Sequence, residues 1–263
     1  KRGWIIQSLQ PGWTDRWSRF RMFLFRCRMP PPYLDGRAVT SSGQTSRIFV
    51  GRQREMGELR AALKESFAGH GRIVMLMGEP GIGKTRTAEE LASHAETQGA
   101  QVLWGRCYEE DGAPSYWPWV QAIRSYVEPR NSDQLQVDLG PNAADIAEIV
   151  PEIRRKLTDL ETPPDLPPEQ ARFRLFESIT SFLKTLARSK PIMLVLDDLH
   201  WADEPSLLLL QFLAQQLADS HILVVGCYRD VELSRQHPLS ETLARISREA
   251  DYQRHALRRM GPG

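Results

Sequence analysis

Two rhythms of apolar residues alternate along the chain from Ile48 onward. The runs Arg72–Met77, Gln101–Trp104, Ile192–Leu196 and His221–Val225 are short and nearly continuous in apolar residues. Such runs read as strands, and Arg72–Met77 and Ile192–Leu196 suit strands buried on both faces. Between them, apolar residues recur every three or four positions, the spacing of one helix face. Met56, Leu59, Leu63 and Phe67 mark a helix over Glu55–Phe67, and Ala88, Leu91, Ala92 and Ala95 mark another over Thr85–Thr97. Gln170–Ala187 precedes the third run. Pro205–Leu217 precedes the fourth, with Leu207–Leu210, Phe212, Leu213 and Leu217 as its buried face. A fifth strand is expected at His255–Arg259. Repeated strand–helix–strand units predict an α/β fold of three layers (α/β/α), in which helices cover a mostly parallel sheet of about five strands. The stretch 162–168, with four prolines, reads as a surface connection inside that domain.

Composition narrows the class without naming a chemistry. The chain has 263 residues, 41% hydrophobic and 25% charged, as in an ordinary globular protein. That length buries a core without disulfides or metal staples. No apolar run approaches the ~20 residues that span a bilayer, so a spanning helix is excluded. A formal net charge of +1 gives no global argument for nucleic acid or an anionic membrane. Cys27, Cys107 and Cys227 are too few and too scattered for a zinc site or a secreted framework, and free thiols in a reducing cytoplasm are expected.

The charge is unevenly spread. Residues 1–40 hold eight Lys and Arg against Asp15 and Asp35, and interleave aromatic residues such as Trp4, Trp13, Trp17 and Phe20. Arginines among aromatics suit base stacking or a membrane surface. No helical or strand period is sustained there, so residues 1–45 are expected to be a poorly ordered leader or linker. Residues 46–259 form the expected domain and 260–263 a tail.

One loop carries the chemistry. Gly78-Glu79-Pro80-Gly81-Ile82-Gly83-Lys84-Thr85 fits the spacing G-x-x-x-x-G-K-[ST], and it stands between a predicted strand and a predicted helix, where a phosphate-binding P-loop belongs. Its glycines let backbone N–H groups converge on phosphate oxygens. The helix that follows presents its positive end to the same anion. Lys84 adds a mobile cation for the β- and γ-phosphates, and the Thr85 hydroxyl is a ligand for Mg²⁺; Arg86 completes the stretch. A second element is needed for the metal. Ile192–Leu196 runs into Asp197 and Asp198, at the C-terminal end of a predicted parallel strand, where ligands bind in open α/β sheets. Asp197 would hold Mg²⁺ through its water shell, and Asp198 would orient or deprotonate the attacking water.

These motifs carry a family resemblance. Residues 194–209 (LVLDDLHWADEPSLLL) resemble the Walker B region of the bacterial STAND-type signalling ATPases. That group includes ATPase modules of large LuxR-family regulators and of some adenylate cyclases, and is similar to an origin-recognition-like AAA domain. Phe49-Val50-Gly51-Arg52-Gln53-Arg54-Glu55 resembles the family's opening motif, which implies that Val50, Gly51 and Arg52 touch adenine and ribose. Gly105-Arg106-Cys107-Tyr108-Glu109 resembles its second-strand ending. The stretch 226–233 resembles its sensor region, which implies that Arg229 lies near the γ-phosphate. Taken alone, Arg229 also reads as a surface arginine at a strand end. His200 reads as packing, with no catalytic role.

The resemblance spans about residues 48–258 and implies an ATP/ADP site with Mg²⁺, slow hydrolysis and a cytoplasmic signalling switch. It also implies self-association through an arginine from a neighbouring subunit. The family's lid and output domains are expected to be missing, so the chain reads as a fragment of a larger regulator, with DNA reached only through domains not in this chain. Two other readings stay open: a module that holds nucleotide without effective hydrolysis, and a small-molecule kinase using the same loop.

Overall fold

A computed structural model of the protein describes residues 52–109, 113–230, 233–234 and 237–258. The expected leader (1–45) and tail (260–263) lie outside the described residues, as do Val50 and Gly51. The elements in chain order are α1 (Gln53–Phe67), β1 (Arg72–Met77), α2 (Lys84–Thr97), β2 (Gln101–Arg106), α3 (Trp117–Val127), α4 (Ser132–Leu139), α5 (Ala143–Ile146), α6 (Glu152–Lys156), α7 (Pro168–Ser189), β3 (Ile192–Asp197), α8 (Glu204–Ala214), β4 (Ile222–Tyr228), α9 (Pro238–Glu249) and β5 (Tyr252–Ala256). No described helix is long and apolar enough to cross a membrane.

The five strands form one sheet in the order β2-β3-β4-β1-β5, and every neighbouring pair is parallel. All residues of β1, β3 and β4 are buried. The two-residue period sends their side chains to two cores. Val74, Leu76, Met193, Val195, Leu223 and Val225 pack with α1 and α2 on one face. Ile73, Met75, Leu194, Leu196, Ile222 and Val224 pack with helices α3 to α9 on the other. The continuous apolar runs in the sequence are the consequence of this double coverage. Arg72, a charged residue opening a buried strand, is neutralised by Glu65 at 2.5 Å and Asp251 at 2.7 Å.

The fifth strand departs from expectation. It spans Tyr252–Ala256, beginning three residues before His255, and only its last two residues fall in the expected segment. As an edge strand beside β1 it is half exposed, so it lacks the apolar run that marks the interior strands. The helix over residues 205–217 also ends earlier, at Ala214, although Leu217 is buried as expected. Stretch 158–167 carries no regular structure, in keeping with its prolines.

Two glycines permit close approaches that shape the site end of the sheet. A Cβ on Gly105 of β2 would collide with the Pro118 backbone, so α3 rests directly on that strand. A Cβ on Gly226 of β4 would meet the side chains of Met75 and Leu199 instead. Side chains yield more readily than backbone. Gly105→Ala is therefore expected to destabilise the fold by about 1–3 kcal/mol, and Gly226→Ala by less, as read from urea unfolding. A reversed order would contradict this packing.

Candidate functional site

The strand order places β4 between β1 and β3, so the loop after β1 and the acids ending β3 open on the same edge of the sheet, one strand apart. The loop leaves Met77 and enters α2 at Lys84. Gly78, Gly81 and Gly83 all have positive φ (154°, 74° and 99°). The latter two lie in the left-handed range that side chains rarely adopt, and Gly83 is the N-cap of α2. At Gly78 the limit is also steric, because a Cβ there would stand 2.7 Å from the Leu257 carbonyl oxygen. Glu79, Pro80 and Gly81 are exposed and Ile82 half-buried. The first turn of α2 leaves N–H groups without intrahelical partners, aimed along the helix axis.

Lys84 is buried, and its ammonium donates to the carbonyls of Gly78 at 2.9 Å and Glu79 at 3.1 Å, folding back across the loop. Burial lowers its pKa, and the nearby charge of Arg229 acts in the same direction, against the attraction of Asp198 and Asp197. Arg229 follows directly on β4. Two cations thus share a small region, an arrangement that an anion would relieve. Arg86 is exposed and pairs with Glu89 at 3.2 Å and Glu90 at 3.8 Å.

Asp197 closes β3 with no solvent exposure. The Thr85 hydroxyl donates to its carboxylate at 3.0 Å, and the backbone N–H of Asp198 donates to it at 3.1 Å. Burial raises the pKa of Asp197, the charge of Asp198 adds to the rise, and the Thr85 hydrogen bond opposes it. A hydroxyl and a carboxylate converging in this way are hard oxygen donors of the kind Mg²⁺ takes, with its remaining positions filled by water and phosphate. Among the described residues no group of three or more His, Cys, Asp and Glu side chains could hold a metal by itself.

Asp198 has a left-handed backbone, φ 56°, an uncommon conformation for a non-glycine residue. The turn continues into the short helix Leu199–Trp201 and then α8, whose N-cap Asp203 accepts from Ser206 N–H. Arg106, the residue opposite Asp197 in the β2–β3 register, donates from Nε at 3.1 Å and Nη2 at 2.9 Å to one oxygen of Asp198. The side chain of Arg106 is half exposed, so the pair is weak and readily exchanged. Arg106 is the site residue to which sequence reasoning gave no role; its place at the end of a strand beside the acids was the available signal. Arg52 lies at the start of α1, against the loop carbonyl of Ile82 at 2.6 Å. His200 is buried, 4.0 Å from Asp198 and tilted against the Trp201 ring.

A glycine-rich loop at the positive end of α2, a buried lysine and a hydroxyl–carboxylate pair are thus gathered at the C-terminal edge of a parallel sheet. The profile of the AAA ATPase domain matches residues 48–225, and the chain belongs to that family. An uncharacterized protein of Rhizobium meliloti (strain 1021) is 22% identical over an alignment of 204 positions that covers 71% of this chain. The chain spans 19% of that relative's length. Among solved structures, the chain is similar to Cdc6p from Pyrobaculum aerophilum (20% identity, TM-score 0.45, covering 81% of this chain and 47% of that one). It is also similar to a STAND protein with a tetratricopeptide repeat sensor from Pyrococcus horikoshii (16% identity, TM-score 0.44, 82% and 24%).

The buried Asp197 charge has a consequence for stability. An acid whose pKa is raised on folding contributes least when ionised; its contribution is full below the ordinary value of 3.8 and is lost as pH rises through the raised folded value. Asp197→Asn, which keeps an oxygen for Thr85 and removes the charge, is expected to raise the Tm of the ligand-free protein at neutral pH. The rise is about 2–4 °C if the gain is on the order of 1 kcal/mol, and it shrinks as the pH falls toward 4. Scanning calorimetry across that range checks it, and a lower Tm at neutral pH would refute it.

Proposed function

We propose that this domain binds ATP with Mg²⁺ and hydrolyses it slowly, as the switch of a larger signalling protein. The observation that carries the reading is the Thr85–Asp197 hydrogen bond of 3.0 Å, which brings the two residues expected at the metal into contact across elements 112 positions apart in sequence. The loop Gly78–Thr85 receives the phosphate chain through its N–H groups, and the Lys84 ammonium exchanges two loop carbonyls for phosphate oxygens. Thr85 and Asp197 would hold Mg²⁺. When bound, Mg²⁺ neutralises charge on the β- and γ-phosphates. Asp198 positions a water for in-line attack and accepts its proton, and Arg229 contacts the γ-phosphate and reports its loss. Association of copies would let an arginine of one subunit complete the site of another. A cytoplasmic setting is supported by Cys107 and Cys227, both free and buried.

One observation favours a second reading, a module that holds nucleotide without effective turnover: the carboxylate expected to act on water is engaged by Arg106. On the ATPase reading, Asp198 must leave that partner during each cycle; on the second reading it does not.

Calorimetric titration with ATP and ADP, with and without Mg²⁺, together with a phosphate-release assay, separates the two. Lys84→Ala is expected to weaken ATP binding at least about tenfold, the scale of one charge-assisted contact. Asp198→Asn is expected to keep binding and lower turnover by about 10²–10⁴-fold. Turnover indifferent to Lys84→Ala would overturn the site. Tight ADP retention with no turnover by the wild type would favour the holding module.

A further inference from the structure

Arg52 sits in a setting that is unfavourable in three ways. Its backbone is left-handed, φ 61°, which costs a non-glycine residue about 1 kcal/mol or more. It places a cation at the positive end of α1, the wrong sign for the helix dipole. Its side chain is only 4% exposed, with the Glu55 carboxylate 3.8 Å away and Nη1 lacking any hydrogen-bond acceptor. Strain gathered on one residue persists where the surroundings use that residue for something else.

The other terminal nitrogen indicates that use. Nη2 donates to the Ile82 carbonyl at 2.6 Å and to the Arg258 carbonyl at 3.3 Å. Ile82 is the loop residue between Gly81 and Gly83, and Arg258 lies on the segment leaving β5. A trans peptide is planar, so the Ile82 carbonyl and the Gly83 N–H point in opposite directions. Drawing that carbonyl to Arg52 keeps it away from an incoming anion and turns the Gly83 N–H the other way. The segment leaving β5 has its own hold on the loop. The Leu257 N–H donates to the Met77 carbonyl at 2.8 Å, and the Leu257 carbonyl is the group that excludes a side chain at Gly78.

We infer that Arg52 is a positioning residue that sets the Ile82–Gly83 peptide for polyphosphate and ties the loop to the segment leaving β5, so that phosphate binding and the setting of Leu257–Arg258 change together. This rests on reading Gly78–Thr85 as a phosphate site. It differs from the resemblance, which puts Arg52 on the adenine and ribose.

Tripolyphosphate, which has no base or sugar, separates the two roles. Full-length wild type, Arg52→Gln and Arg52→Lys are titrated calorimetrically with tripolyphosphate and with ATP. Arg52→Gln is expected to weaken both ligands by the same factor, about tenfold, the scale of a charge-assisted hydrogen bond. Arg52→Lys, which keeps a cation but not the planar fork, is expected to weaken both by less, and it carries the test alone if the glutamine variant does not fold. Hydrogen exchange supplies the coupling readout: tripolyphosphate slows exchange of the Leu257 amide in the wild type and leaves it unchanged in Arg52→Gln. A loss confined to ATP assigns the guanidinium to the nucleoside and overturns the inference, as does unchanged affinity for both ligands or Leu257 protection in the variant equal to that of wild type. A wild type that binds neither ligand overturns the phosphate-site reading itself, a different failure from either of these.

Discussion

The fully buried carboxylate of Asp197 accepts from the Thr85 hydroxyl, which comes from the helix after β1, and the functional end of the sheet is organised around this pair. A charge so placed is expensive unless it is answered by hydrogen bonds or cations. Thr85, the Asp198 backbone N–H and the neighbouring Arg106 answer it in part, and burial still raises its pKa. The apolar runs of β1, β3 and β4, buried on both faces, anchor the strand end that carries Asp197. The core therefore bears the electrostatic strain of the site, a common division of labour between scaffold and function.

The cationic side of the site mirrors the acidic side. Lys84 is buried with a lowered pKa and Arg229 acts against its charge, while the loop offers N–H groups and the positive end of α2. These charges are brought together by the fold itself, which lessens the rearrangement that an anion would require. The ammonium rests on loop carbonyls that phosphate oxygens can replace. Asp198 rests on a half-exposed arginine that water can replace. Both contacts are of the exchangeable kind, consistent with a site that changes partners.

Legibility in the sequence followed burial. The interior strands were readable because both their faces are covered, and the helices on one core face were readable from the spacing of Leu59, Leu63, Leu91 and Ala95. The edge strand β5 was misplaced because a half-exposed strand with Gln253, Arg254 and His255 at its centre has no apolar signature. The helices between Trp117 and Lys156 were not anticipated: α3 carries a helical period in Trp119, Ile123 and Val127, whereas α4 to α6 are only four to eight residues long, broken by Gly140-Pro141 and Pro151, and too short to establish one. Helix α9 did carry a legible signal, Leu239, Leu243 and Ile246 at helical spacing, which the reading passed over.

The glycine-rich loop and the paired acids stand out in the sequence because they are set by residue types at fixed spacing within one turn and one strand end. That Thr85 meets Asp197, that Arg106 reaches Asp198, and that Arg52 joins Ile82 to Arg258 depended on the order of strands in the sheet. Strand order is set by which apolar faces bury one another over long sequence distances. Local spacing carries no record of it, so these contacts became visible only once the chain was folded.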